Sequence, residues 1–207
     1  MSETETFEDI ARRAAAGGAA GECALEAVEL ERRAALLPRM RSEALLRAAR
    51  GLRLAHRLLR PLAPAARSEA RGFTRAGRRG AVVAGHLALA QGRPAHAELI
   101  GEGLHEAAPR HPVGLRLMGQ ALLAQGRYRP AVRAFHGALA LDPGDGYGRT
   151  LHAEALWLAG DRELALGALA AVREGGGPAA ALAVALLEAF ESGAIPGRLP
   201  GDRWASP

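Results

Sequence analysis

The chain has no lysine and no asparagine, so all 27 of its basic residues are arginine. Without lysine there is no phosphate-binding Gly-Lys-Ser/Thr loop and no amine to form a Schiff base. The single cysteine, Cys23, excludes an internal disulfide and fits a reducing compartment. Aromatic residues are scarce at 4 %, and alanine and leucine dominate the 49 % that is hydrophobic. Those two residues lose little side-chain entropy in a helix, whereas strands favour β-branched and aromatic side chains. A stretch such as PAAALAVALLEAFE, residues 178–191, leaves little room for a sheet. No apolar run approaches the ~20 residues a membrane-spanning helix needs. The opening MSETETFEDIARR is acidic and polar, where a secretory signal is basic and then apolar. Composition therefore predicts an all-α protein, and the absences point to the cytoplasm.

What is present is a repeat. Gly92, Gly126 and Gly160 are 34 residues apart, and Ala97, Ala131 and Ala165 keep the same spacing. Gly85, Gly119 and Ala153, all small, precede the glycines by seven residues, and Pro109, Pro143 and Gly177 end the frame. A fixed period of this size marks stacked supersecondary units. Within one unit Leu115, Met118, Leu122 and Leu123 fall at helical spacing until Gly126 breaks the pattern. Pro130 follows near a helix start, where its missing N–H costs little. Ala131, Ala134, Phe135, Ala138 and Leu139 carry a second stripe that Asp142-Pro143 ends.

This segment resembles the tetratricopeptide repeat. The family's run of a bulky residue, a leucine-like residue and glycine, then tyrosine, alanine, phenylalanine and proline reads here as Leu115, Met118, Gly119, Leu122, Ala131, Phe135 and Pro143. Tyr128 also matches. Leu115 and Leu122 are apolar but not aromatic. Residues 112–145 carry the best match, 146–179 a good one and 78–111 a fair one, in which Gly101 stands where a large apolar residue belongs. The resemblance implies a right-handed α-solenoid of stacked helix pairs. Outside the repeats, residues 1–60 read as degenerate N-terminal helices, 61–79 as a Pro/Arg/Gly-rich joint, 178–193 as a capping helix and 194–207 as a tail on which Trp204 could dock.

Charge is unevenly spread. Residues 1–35 carry −4, residues 36–80 carry +10, residues 81–144 carry +2 and residues 145–207 carry −3. Arg47, Arg50, Arg53, Arg57 and Arg60 share one face of a helix over 40–60, apart from Leu45, Leu52 and Leu59. Two readings stay open. The stripe is a solvated face or pairs with Glu22, Glu26 and Glu29, or it meets an acidic peptide, nucleic acid or anionic surface. No aromatic residues are interleaved with it to stack on bases.

The resemblance implies that the first helix of each pair lines a binding wall, which places Arg79, Val82, His86, Leu89, Arg116, Gln120, Leu123, Tyr147, Thr150, Glu154 and Trp157 on it. The family's best-known site clamps a carboxylate with lysine and asparagine, neither of which exists here. An apolar-anchored helix or extended segment is the expected occupant, with Arg79 and Arg116 taking its acids. Tyr147 and Trp157 are the candidate hot spots, and Trp157 has packing against the capping helix as its alternative role. If Trp157 is a hot spot, Trp157→Ala removes binding and leaves the helical signal intact.

Catalytic and metal chemistry find no pattern. His105, Glu106 and His111 do not make a His-Glu-x-x-His pair on one helix face, and Cys23 has acidic Glu22 beside it rather than a positive neighbour. Gly175, Gly176 and Gly177 read as a turn, although backbone N–H groups there could meet an anion. No cofactor and no metal are expected. The sequence thus predicts a non-enzymatic protein-binding scaffold, similar in size and character to small tetratricopeptide chaperones of bacterial secretion systems.

Overall fold

The computed structural model describes residues 18–34, 39–59 and 74–192. Among them are nine α-helices and no strand, as the alanine- and leucine-rich composition requires. The beginning of the N-terminal helical region, most of the expected joint, Arg60 and the tail with Trp204 lie outside the described residues. The chain separates into two compact units, residues 1–118 and 119–207.

The first unit holds α1 (Ala19–Ala34), α2 (Arg39–Leu59), α3 (Arg75–Ala90) and α4 (Pro94–Ala107). Residues 75–79, inside the range read as a joint, are helical. Thr74 caps them, its hydroxyl accepting from the N–H groups of Ala76 and Gly77. The glycines that suggested a loop here are instead contact points, since the Glu22 side chain lies against Gly77 and Ala19 lies against Gly80.

α2 packs on α1 and on α4, and α3 packs on α4 and on α1. Consecutive helices touch throughout the unit, and the α1–α3 and α2–α4 contacts tie one pair of helices to the next. Cys23, Ala27, Leu30, Ala48, Leu52, Ala55, Leu59, Ala81, Ala84, Ile100 and Leu104 are wholly buried between them. Each such leucine contributes roughly 1.5–3 kcal/mol by leaving water.

The α2–α4 crossing is very close. A Cβ on Gly51 would run into the backbone carbonyl of Leu99, and one on Gly103 would come within 2.6 Å of the Ala48 carbonyl. Gly101, on another side of α4, meets α5 (Val113–Ala124). The Met118 side chain occupies the space of the absent Cβ. A large residue is missing from Gly101 because Met118 supplies the volume.

The second unit holds the end of α5, then α6 (Tyr128–Leu141), α7 (Gly146–Leu158), α8 (Arg162–Gly175) and α9 (Pro178–Glu191). Here the packing follows chain order: α6 on α7, α7 on α8, α8 on α9, with α9 also reaching α7. Phe135 is fully buried, and its ring fills the space a Cβ on Gly119 would need, 2.6 Å away. Ala153, Leu156, Ala165, Leu169, Val172, Ala183, Leu186 and Phe190 form the core beneath α9.

The 34-residue period has a direct local counterpart. Gly92, Gly126 and Gly160 have φ of +66°, +71° and +95°, the left-handed region open to glycine. In each turn the glycine N–H reaches the carbonyl three residues back, and the following N–H reaches five back: Arg93 to Ala88, Arg127 to Leu122, Asp161 to Leu156. This is the Schellman arrangement, which satisfies the last carbonyls of a helix. The helices that follow start at residues 94, 128 and 162 and end at 107, 141 and 175. Ala97, Ala131 and Ala165 sit in the same place in each and are all fully buried.

Candidate partner-binding trough

The sequence-predicted wall residues have unlike fates. In the first unit Arg79 is exposed, whereas Val82, His86, Leu89 and Arg116 are half-buried. His86 and Arg116 come close enough to interact. Burial first, and the Arg116 charge second, hold the His86 imidazole below its ordinary pKa.

In the second unit Tyr147 is 46 % exposed, and Gln120, Leu123 and Glu154 are half-buried. Thr150 is fully buried, and its hydroxyl donates to the Gly146 carbonyl at 2.9 Å, so it presents nothing to a partner. Trp157 stacks on Phe190 of α9, with ring centroids 4.1 Å apart and planes 7° from parallel. The Arg162 guanidinium lies 5.1 Å from its centroid. That geometry serves the attachment of α9.

An open, mostly apolar surface of this unit lies elsewhere. Side chains of α6, α7 and α8 line an open trough of about 680 Å³. Val132, Arg133 and His136 of α6 form one side, Leu164 and Ala168 of α8 form the other, and His152 and Leu156 of α7 form the floor. None of these seven residues belongs to the predicted wall. Leu164 is 65 % exposed, the most of the large apolar side chains among the described residues.

The His136 and His152 rings are 6.2 Å apart and tilted by 45°. Burial, and then the neighbouring His136, lower the His152 pKa, which keeps the floor uncharged at neutral pH. Arg133 is the lining residue that is always charged. At the mouth between α6 and α8, Arg129 pairs with Asp161 at 3.8 Å.

One signal for the trough was present in the sequence. His152 stands 34 residues after Met118, so an ionisable ring occupies the leucine-like column of the repeat. Leu164 gave no such signal, because an exposed leucine in an alanine-rich helix looks like any other.

Two arginines of the stripe form ion pairs within their own unit. Arg53 forms a two-pronged pair with Glu31, at 2.7 and 2.6 Å, and Arg47 meets Glu102 at 2.5 Å. These two partners, Glu31 and Glu102, are not among the expected Glu22, Glu26 and Glu29. Glu22 is buried, and its carboxylate accepts from the backbone N–H and hydroxyl of Thr74 at 3.2 and 2.5 Å. Arg50 reaches back to the Leu46 carbonyl at 3.4 Å, and Arg57 is exposed. Leu45, Leu52 and Leu59 are buried on the opposite side.

Cys23 is wholly buried, and its thiol is pushed up to about 12, chiefly by desolvation and then by Glu22. It is not a nucleophile in the folded chain. Among the described residues no three His, Cys, Asp or Glu side chains gather as a metal site would require. No helix there is long and apolar enough to cross a membrane. The chain matches no protein-family model, no curated protein and no solved structure.

Proposed function

We propose that this chain is a cytoplasmic helical-repeat scaffold of the tetratricopeptide kind. It performs no catalysis, and it holds a segment of another protein much as a small secretion or assembly chaperone does. The observation that carries this reading is the trough, an open apolar surface between two second helices with Leu164 left in water. Its support from the chain as a whole is the recurrence of one helix–turn–helix unit at residues 92, 126 and 160, the pattern of a solenoid that binds along an extended face. The partner is placed against α6, α7 and α8 rather than along the first-helix positions. There Thr150 is enclosed and Trp157 is taken up by Phe190.

The test is site-specific crosslinking. A photoreactive amino acid at position 164, compared with one at exposed Ala181 of α9, should capture a discrete partner protein in the native cell. The captured protein should be lost when Val132→Asp is added. Equal capture from both positions, or capture indifferent to the second substitution, would overturn the reading.

A further inference from the structure

We infer that the trough takes an α-helix of acidic amphipathic character, its apolar stripe on Val132, Leu156 and Leu164 and a carboxylate on Arg133. This deepens the scaffold reading and rests on it. Three observations point to that occupant.

The first is charge. Arg133, His136 and His152 are the ionisable side chains lining the trough, no carboxylate lines it, and Asp161 at its mouth is engaged by Arg129. A basic segment would meet only like charge there, and an acidic one would meet Arg133.

The second is shape. Two helices in register, both of 14 residues, border a groove with an apolar floor. A third helix lies naturally in such a groove, with anchors at i, i+3, i+4 and i+7. A sheet edge, which would favour an extended strand, is absent from the described residues.

The third is a pattern within this same chain. In the first unit the second helices of successive pairs, α2 and α4, are in direct contact, and Glu102 of α4 meets Arg47 of α2 across that contact. In the second unit the second helices α6 and α8 make no comparable contact. Two periods of 34 after Glu102 stands Ala170, so α8, the later helix of this pair, carries a methyl group where α4 carries its carboxylate. An incoming helix would bring the missing acid with it.

The experiment uses the full-length chain and three labelled helical peptides, read by fluorescence anisotropy. One has a leucine stripe flanked by glutamates, one has the same stripe flanked by lysines, and one is a shuffled version of the first. The wild type should bind the glutamate peptide at least about tenfold more tightly than either of the others, a difference of about 1.4 kcal/mol. Arg133→Glu should erase that preference. Leu164→Asp should weaken the glutamate peptide by about tenfold without changing the melting temperature, because Leu164 stands mostly in solvent.

Equal binding of the lysine or shuffled peptide, or no response to either substitution, would overturn the inference. If no peptide binds yet a probe at position 164 still captures a partner, the helix chemistry is wrong and the scaffold stands. If the probe captures nothing as well, both fall.

Discussion

Glycine has two opposite roles in this chain, and single substitutions separate them. Gly126 holds φ at +71° to close a helix, and Gly167 lies mid-helix with open space where a Cβ would go. Gly126→Ala should cost about 1–2 kcal/mol, because an L side chain strains there. Gly167→Ala should gain roughly 0.5–1 kcal/mol by lowering the entropy lost on folding. Denaturant titration of the two variants should move the midpoint in opposite directions. His152 gives a second residue-scale prediction. Its folded pKa lies below the ordinary histidine value of about 6.5. Above that value the imidazole is neutral in both states and costs nothing. As pH falls through it the unfolded chain binds the proton first, so stability is lost on the way down to the folded pKa. A series of melting temperatures from about pH 7.5 to 5 should therefore decline, and less steeply in His152→Gln.

Helix ends and helix pairs were legible in the sequence because they depend on local chemistry. The spaced glycines marked left-handed turns, and Asp142-Pro143 marked a stop at Leu141. Crossings between helices were not legible. Gly51 and Gly103 look like weak points inside α2 and α4, yet they are where the two backbones touch. Sequence spacing carries no information about which distant helix will arrive at a glycine. The same reason left Trp157 with two readings and Leu164 with none: one aromatic and one leucine at ordinary helical positions took opposite environments once α9 and α7 were placed. Gly51→Ala should test the crossing. Its methyl would meet the Leu99 carbonyl, a backbone group that cannot rotate away, so α2 and α4 must separate. A loss of at least about 2 kcal/mol is expected in chemical unfolding, against a gain of up to ~1 kcal/mol from helix propensity alone.

For the molecule as a whole, the excess of arginine gives a net charge of +5 and a sequence pI near 10.7. Those totals suggest a polyanion binder, but the ion pairs of α2 reduce the charge on offer. Arg47 and Arg53 each already face a carboxylate. On a heparin column the variant with Arg47 and Arg53 changed to glutamine should elute closer to the wild-type salt concentration than the variant with Arg50 and Arg57 changed. A large shift to lower salt in the Arg47 and Arg53 variant would revive the stripe as a binding surface.

Cys23 also has a practical consequence. The natural chain carries no other thiol, and this one is enclosed by α1 and its neighbours and held protonated. Maleimide dyes and similar reagents should therefore leave the native protein unlabelled. Replacing Leu164 by cysteine would then give a protein with one reactive handle, so that a single fluorophore there reports directly on what enters the space between α6 and α8.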